Sequence, residues 1–378
     1  MTIAYVTTYD ASDVHEWSGL GNHILRALQD SGFETRSIGN LKANESFRLR
    51  LKEACLTKLS PKMFLRDREP IVLEDYAAQV AKRLESDPYD MVFSPGTIPI
   101  AYLETRKPVV FWADATFAGL LDFYFSSARL CADSIKNGHK MEQLALSKCR
   151  MAIYSSDWAA KTAIQNYDVN PEKVKVVPFG ANINCDRTPA DIVELVGKRS
   201  RDICKLLFLG VDWERKGGDM AVEVARGLIN RGIRAELHVV GCLPPVELPE
   251  FVEVHGFISK ATAEGRQRLD RLLSESNFLI LPSRAECYGL VFAEASSYGL
   301  PSLATDVGGI PTLIRNGKNG RTFPLDEGPA AYCDYIEDLF SSREEYNELA
   351  LSSFREYSER LNWTSAGSKV RDLIAEIV

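Results

Sequence analysis

The feature that most constrains this chain is an alternation of short apolar segments and longer amphipathic segments, repeated in two cycles. Each apolar segment is rich in Val, Ile and aromatic residues and ends at Gly, Pro or a small polar residue, which is typical of buried strands. The segments are TIAYVTTY, DMVFSP, PVVFWAD, CRMAIYSS and KVKVVPFG in the first cycle, then KLLFLG, AELHVVG, FVEVHG, NFLILPS and LPSLATD in the second. This alternation predicts an α/β fold of parallel sheets with helices on both faces.

The segments between the strands have helical length and spacing. GNHILRALQDSG, for example, places Ile24, Leu25 and Leu28 on one face and reaches a helix stop at Gly32. With 378 residues, the chain is long enough for two domains. We therefore predict two Rossmann-like domains that face a cleft. The predicted parts are an N-terminal domain over 1–183, a linker over 184–204, a C-terminal domain over 205–355, and a final helix over 356–378 that packs back on the N-terminal domain.

Composition excludes several classes of protein. No segment approaches the about 20 apolar residues of a membrane span, and the first residues do not resemble a secretory leader, so we expect a cytoplasmic protein. The net charge of −7 gives no overall attraction to nucleic acid. The eight cysteines contain no Cys-x-x-Cys pair and the five histidines show no metal-ligand spacing, so we predict no metal and no cofactor.

The segment over 281–311 carries the most chemical information. It leaves a strand, passes a loop that contains Glu286 and Gly289, and enters a predicted helix that begins at Leu290 and contains Glu294. Each carboxylate can accept hydrogen bonds from adjacent sugar hydroxyls. The amides of Gly289 and Leu290 would favour a diphosphate at the helix start. The alternative is an ordinary glycine loop with two surface glutamates.

This segment resembles the signature of glycosyltransferase family 4, whose fold is GT-B. The resemblance is strong over 205–323 and loose over 1–183. The matching positions are Glu286, Tyr288, Gly289, Leu290, Glu294, Gly299, Pro301, Gly308 and Gly309. It implies a retaining glycosyltransferase that uses a nucleotide-sugar donor.

The segment LFLGVDWERKGGDM resembles the phosphate loop of the same family. A strand ends at Gly210, and two cations, Arg215 and Lys216, precede a pair of glycines and a helix. The usual family arginine directly after the strand is replaced by Val211, and we predict that Arg215 takes over its role. The alternative is a solvated basic turn.

The N-terminal half matches the family less closely. Ser18 and Gly19 stand where the family often has a Gly-Gly phosphate loop, although an ordinary helix entry fits as well. Many members carry a histidine after the strand that ends near residue 113, and here Ala113 and Asp114 occupy that place. Asp114 either faces the acceptor or caps the next helix.

The resemblance implies a division of roles. Lys216 and Arg215 would stabilise the leaving diphosphate, Glu286 would orient the donor sugar, and Glu294 would hold the ribose. The chain contains no Asp-x-Asp triplet, so we expect no metal in the reaction. The strand end at 255–259 would recognise the base, with Phe257 either beside it or in the core. UDP is expected only because it is frequent in the family.

The expected acceptor is a glycan, a lipid-linked molecule or a small-molecule hydroxyl. The basic and apolar segment over 46–69 fits either peripheral contact with an anionic membrane or a solvated pair of helices. Two other functions stay open. The first is an inactive nucleotide-sugar-binding partner of another transferase, and the second is a nucleotide-sugar epimerase on the same fold.

Overall fold

The computed structural model describes residues 1–43, 47–59 and 62–377, and it omits the side chains of residues 47, 48 and 57–59. The chain divides into two compact units. The first contains Met1–Pro178 and Ala366–Val378, and the second contains Phe179–Ser365. Each unit is built on its own parallel sheet, so the predicted α/β fold with two Rossmann-like domains is confirmed.

The sheet of the first unit has six strands among the described residues, in the order β2-β1-β3-β4-β5-β6. All neighbouring strands pair in parallel. The central strands are buried on both faces, which explains their continuous apolar sequences. The strands are β1 Thr2–Val6, β2 Glu34–Ile38, β3 Met91–Ser94, β4 Val109–Ala113, β5 Met151–Tyr154 and β6 Val174–Val176.

Helices cover both faces of this sheet. The described helices are α1 Leu20–Asp30, α2 Phe47–Leu59, α3 Pro70–Ser86, α4 Phe117–Leu120, α5 Ala132–Lys148 and α6 Asp157–Asn166. Helix α1 buries Ile24, Leu25 and Leu28, and the chain leaves it through Gly32 at a φ of +91°, as the sequence predicts. The order of the strands places the switch in direction between β1 and β3, where ligands of such sheets bind.

The sheet of the second unit runs in the order β12-β11-β10-β7-β8-β9, again six strands within the described part of the chain. This is the order of a dinucleotide-binding sheet, and its switch point lies between β7 and β10. These two strands pair through Leu206 and Phe278. The strands are β7 Cys204–Leu209, β8 Ala235–Val240, β9 Val252–Gly256, β10 Phe278–Leu281, β11 Ser302–Thr305 and β12 Gly320–Phe323.

The helices that follow in the chain include one inside the proposed linker. Thr188 and Asp191 form a capping box that starts α7 within 184–204, and the whole of that segment lies in the second unit. The helices are α7 Pro189–Lys198, α8 Gly218–Asn230, α9 Ala263–Glu275, α10 Leu290–Ser296, α11 Ile310–Leu313, α12 Pro329–Ser341, α13 Arg343–Arg360 and α14 Trp363–Ala375. From Ala366 onward α14 belongs to the first unit, where Gly367 lies against Ala27 and Ser31 of α1.

Candidate functional site

The two loops that flank the switch point of the second sheet form one compact structure. We call the loop after β7, residues 210–217, the phosphate loop, and the loop after β10, residues 282–289, the acidic loop. Gly217 has a φ of +74°, and a Cβ atom there would lie 2.1 Å from the carbonyl oxygen of Pro282. Only glycine therefore allows the phosphate loop to contact the acidic loop this closely.

The phosphate loop is ordered by its own side chains. The Asp212 carboxylate accepts hydrogen bonds from the backbone N–H of Arg215 at 3.0 Å and from its Nε at 3.3 Å. The Trp213 ring packs against Gly218, where a Cβ would come within 2.3 Å of it. Gly210 lies against the Lys216 side chain, 3.1 Å from the place of its Cβ to the Lys216 Cγ. These contacts fix the direction of both basic side chains.

Three of the predicted catalytic residues meet at this place. The Lys216 ammonium contacts the Glu286 carboxylate, and both side chains are buried. The Arg215 Nη1 lies 3.8 Å from the same carboxylate and donates to the Ala285 carbonyl at 3.0 Å. Burial and the neighbouring Arg215 charge lower the pKa of Lys216 to about 7. Two cations and one carboxylate at a switch point are suited to a phosphate group with an attached sugar.

The remaining residues of the acidic loop lead into α10. Gly289 begins this helix at a φ of +91°, with the Phe292 ring 2.6 Å from the place of its Cβ, and Leu290 is the first helical residue. Glu294 lies in the helix and is 3% exposed, and Lys260 forms an ion pair with its carboxylate. The sequence did not indicate Lys260, because the two residues are 34 positions apart.

Tyr288 has a different environment from the neighbouring predicted residues. Its hydroxyl donates to the carbonyl of Phe179 at 2.6 Å, and its ring packs edge-to-face on the Phe179 ring. The side chain is 3% exposed. Within the second unit, Tyr288 therefore anchors the acidic loop to the start of the unit.

Exposed apolar side chains follow three neighbouring strands of the second sheet. Val211 follows β7, Leu243 and Val246 follow β8, and Phe257 follows β9. Phe257 is 75% exposed, so the interpretation that places it in the core is wrong. The reason is that β9 is an edge strand whose end projects into solvent. An aromatic ring in this position could stack on a flat ligand.

The carboxyl ends of β1, β3 and β4 surround a cavity of about 310 Å³ in the first unit. Asp114 and Trp17 lie in its wall. The other residues that line it include Thr7, Thr8, Tyr9, Arg68, Ser94, Gly96, Thr97, Phe117 and Glu142. The Tyr9 hydroxyl and the Arg68 Nε are buried here and have no hydrogen-bond partner among the described residues. A polar ligand could supply those partners.

Asp114 meets the predicted glycine loop in this cavity. Trp17, Ser18 and Gly19 all have left-handed backbone, with φ values of 47°, 55° and 78°. Such a run in non-glycine residues is strained. The Trp17 side chain donates a hydrogen bond to the Asp114 carboxylate. The strained turn therefore brings the predicted loop and the predicted carboxylate together.

Asp114 does not cap the following helix. The N-cap of α4 is Thr116, whose hydroxyl accepts from the Gly119 N–H at 3.0 Å, so the capping interpretation of Asp114 is wrong. Burial raises the pKa of Asp114 to about 6, although hydrogen bonds to its carboxylate oppose this. A carboxyl group with such a pKa can exchange a proton with a hydroxyl near neutral pH.

Glu142 is a cavity residue that we did not predict. It lies on α5, is 2% exposed, and accepts a hydrogen bond from the Thr97 hydroxyl at 3.1 Å. Burial raises the pKa of its carboxyl to about 7. The available signal was a glutamate on the same helical face as Gly138 and Ala145, where an apolar residue would be expected.

The basic segment over 46–69 is partly neutralised by carboxylates. Residues 46, 60 and 61 lie outside the described residues. The Lys52 ammonium lies 2.9 Å from Glu69 and 2.8 Å from Asp133, and Arg68 pairs with Asp67 at 2.7 Å. These pairs favour the solvated-helix interpretation over membrane contact. None of the helices described here combines the length and the apolar character needed to cross a bilayer.

Comparison with known protein families identifies the second unit. Residues 204–342 match the model of the family "Glycosyl transferases group 1". Among curated proteins, the D-inositol 3-phosphate glycosyltransferase of Gordonia bronchialis is 25% identical over 238 residues, which are 59% of this chain and 51% of that protein. The chain thus spans about half the length of the curated relatives it matches. Assignment to family 4 within this group stays a prediction.

Solved structures extend the likeness to the whole chain. WaaG, a glycosyltransferase involved in lipopolysaccharide biosynthesis, has a TM-score of 0.66 at 16% identity and covers 98% of this chain and 99% of its own. Anabaena Alr3699/HepE in complex with UDP and glucose has a TM-score of 0.64 at 15% identity, with 99% of both chains covered. These neighbours show that the fold is GT-B.

Proposed function

We propose that the protein is a retaining glycosyltransferase that moves a sugar from a nucleotide-sugar donor to a hydroxyl acceptor. The observation that carries the proposal is the convergence of Arg215, Lys216 and Glu286 at the switch point of the second sheet. All three residues lie within the stretch that matches group 1 glycosyl transferases. The inferred activity is of the hexosyl or glycosyl transfer type.

The two cations would stabilise the diphosphate as the bond to the sugar breaks. Lys216 and Arg215 lie side by side, so both can contact one diphosphate, and their charge becomes more favourable as negative charge develops on the leaving oxygen. They would thereby do the work that a divalent metal performs in other transferases. We accordingly propose transfer without a metal ion or other cofactor.

Glu286 and Glu294 would hold the two ends of the donor. Glu286 lies beside the cations, so it would accept hydrogen bonds from sugar hydroxyls next to the breaking bond. Glu294 lies within α10 and would accept hydrogen bonds from the ribose, exchanging Lys260 for these hydroxyls. The N–H groups at Gly289 and Leu290 would face the diphosphate at the start of the helix.

Retention of the anomeric configuration requires the acceptor to attack on the face that the diphosphate leaves. In such a reaction the leaving phosphate oxygen can take the proton of the acceptor hydroxyl. The second unit then has to supply charge stabilisation and no separate base. This matches the residues at its switch point, where the carboxylate of Glu286 is already engaged by cations.

A uridine nucleotide is the base that we propose. Anabaena Alr3699/HepE, a structural neighbour, is known in complex with UDP and with UDP-glucose. The exposed Phe257 ring and the backbone at the end of β9 offer a surface for a planar base. Backbone N–H and C=O groups can pair with the edge of a pyrimidine.

The acceptor would use the cavity of the first unit. Asp114, the buried Arg68 and the Tyr9 hydroxyl supply acceptors and donors for a polar molecule. A glycan, a lipid-linked molecule or a small molecule with hydroxyl groups fits this chemistry. Contact of 46–69 with the cytoplasmic face of a membrane stays a prediction, and flotation with anionic vesicles tests it.

The two rival functions make different predictions. An inactive binding partner would bind nucleotide sugars without releasing UDP. An epimerase would convert the donor without an acceptor and would conserve the nucleotide-sugar bond in its product. The exposed Val211 in place of the usual arginine supports the inactive partner, and the Lys216–Glu286 pair supports transfer.

A thermal-shift screen across UDP-sugars, GDP-sugars and other nucleotide sugars tests donor binding. A donor at 100 times its Kd stabilises the folded protein by about 2.7 kcal/mol, which corresponds to a rise of several degrees in Tm. We expect the rise for at least one UDP-sugar in the presence of EDTA, and none for the free sugar. A Tm that no nucleotide sugar changes would overturn the proposal.

A further inference from the structure

Two histidines and two glutamates share one face at the edge of the second sheet. On β8, Glu236 and His238 are two positions apart, and on β9, Glu253 and His255 have the same spacing. Residues two apart in a strand point to the same face. The register pairs His238 with Glu253, so the four side chains form one group. Residues 238 and 255 are separated by 17 positions, and their contact comes from the pairing of the strands.

The atoms of this group have the spacing of a metal site. The Nδ1 of His238 lies 3.1 Å from the Nε2 of His255 and 3.4 Å from Oε2 of Glu253. One ligand atom from each of the three residues can be chosen so that all lie within 4.8 Å of one another. Zinc with bonds of about 2.0–2.1 Å in a tetrahedron separates its ligand atoms by about 3.3 Å.

We propose that His238, His255 and Glu253 bind a divalent transition-metal ion of the Zn²⁺ class. The ligand atoms are Nδ1 of His238, Nε2 of His255 and a carboxylate oxygen of Glu253, with water in the fourth position. Two imidazoles and one carboxylate are a ligand set that zinc commonly uses. The site was not predicted from the sequence, where local spacing indicated no metal.

Glu236 is placed to orient one of the ligands. Its Oε2 lies 3.6 Å from Nε2 of His238, on the side of the ring away from His255. A carboxylate in this place favours the tautomer with hydrogen on Nε2, which leaves the lone pair of Nδ1 directed at the metal. Glu236 is thus a positioning residue.

The charges around the group allow an ion to bind. Burial lowers the pKa of both imidazoles, so their lone pairs are available at neutral pH. Lys205 and Arg268 are the neighbouring cations, and the Lys205 ammonium lies 3.4 Å from Glu275. Two carboxylates, those of Glu236 and Glu253, face the imidazoles and outweigh this positive charge.

The position on the edge strand gives the ion a path and a role. β9 is the last strand of its sheet, and the Glu253 side chain is 66% exposed, so an ion and its water can enter from solvent. Bound metal would join β9 to β8 directly before Gly256 and Phe257. This role is structural and does not depend on the proposed transfer reaction.

Metal titration of untagged, EDTA-treated protein tests the site. We expect one Zn²⁺ per chain in competition with a chromophoric chelator, and a Co²⁺ complex with tetrahedral d–d absorption and no thiolate band. His255→Ala should weaken binding by at least about 100-fold, and Glu236→Gln by about 10-fold. Glu250→Ala, which removes an exposed carboxylate before β9, should bind as the wild type does.

The exposed ligand keeps the test valid if His255→Ala does not fold. Glu253→Ala changes a side chain at the surface and should fold, yet it should lose the rise in Tm that Zn²⁺ gives the wild type. Unchanged Zn²⁺ affinity in Glu253→Ala and His255→Ala would overturn the proposal. A Co²⁺ spectrum with a thiolate band would do the same, because it would locate the ion at a cysteine.

Discussion

The Lys216 ammonium contacts the Glu286 carboxylate although the two residues are 70 positions apart, and both side chains are buried. β7 and β10 are neighbours in the sheet, so the loops that follow them bring the two charges together. A buried ion pair of this kind costs desolvation and is easily justified only where its charges serve another purpose. Here that purpose would be donor binding, with the pair holding the cation in place before the diphosphate arrives.

Removing Lys216 should destabilise the protein. Lys216→Ala would leave the buried Glu286 carboxylate with Arg215 at 3.8 Å as its nearest printed cation contact, and a loss of about 3–5 kcal/mol is expected for a broken buried pair. Urea unfolding measures this loss. The double variant Lys216→Ala/Glu286→Ala should recover part of it, because no buried charge then remains unpaired. A double variant no more stable than Lys216→Ala would contradict the buried-charge account.

Gly217→Ala should disrupt the contact between the phosphate and acidic loops. The new Cβ would meet the Pro282 carbonyl oxygen at 2.1 Å, in addition to a backbone penalty of about 1–2 kcal/mol at positive φ. Gly232→Ala is the matched control, because Gly232 has a φ of +85° and no atom within 4 Å of the added Cβ. We expect Gly217→Ala to be the less stable variant by a further ~2 kcal/mol and to lose UDP binding. Equal stability and equal UDP affinity of the two variants would count against the close packing of the loops.

Glu142 should make stability depend on pH. Its folded pKa of about 7 lies above the ordinary 4.5, so its protonated carboxyl contributes stability below pH 4.5 that is lost as pH rises through 7. The difference of about 2.5 pKa units corresponds to about 3 kcal/mol. Glu142→Gln should therefore gain about this much relative to the wild type between pH 4.5 and 8 in urea unfolding. Glu85→Gln, an exposed control on α3, should follow the wild type, and a Glu142→Gln profile parallel to the wild type would refute the assignment.

Glu294 and Lys260 should differ in their effect on UDP affinity. Glu294→Gln removes the carboxylate proposed to hold the ribose, and the loss of a charged hydrogen bond weakens binding by about 10-fold or more. Lys260→Ala removes only the cation that occupies Glu294 in this structure, so UDP should bind no more weakly than to the wild type. Isothermal titration with UDP measures both. Weaker binding to Lys260→Ala than to Glu294→Gln would mean that the lysine, and not the carboxylate, contacts the nucleotide.

The sequence predicts the central strands because burial on both faces demands continuous apolar residues. Strands β2 and β12 were not predicted, since each lies at a sheet edge and carries exposed polar residues such as Glu34 and Arg321. Helix α7 was missed within the expected linker although Thr188, Pro189 and Asp191 form a recognisable helix start.

The candidate site was predicted where its residues lie in one local motif. Glu286, Gly289 and Glu294 belong to such a motif, as do Arg215 and Lys216. Contacts between distant segments were not predictable in the same way. The Lys260–Glu294 pair and the His238–His255 contact depend on which loops and strands the fold brings together. Glu142 became visible only when α5 was placed over the cavity.

Release of UDP from UDP-sugars by the wild type and Glu286→Gln, in EDTA and without an acceptor, tests the central claim most directly. The account predicts slow release by the wild type with the α-sugar as the first product of an α-linked donor, as seen by NMR. Glu286→Gln should still bind UDP but release it about 100-fold more slowly or worse. Equal rates for the two proteins, a β-sugar as first product, or UDP binding without turnover of any UDP-sugar would contradict the account.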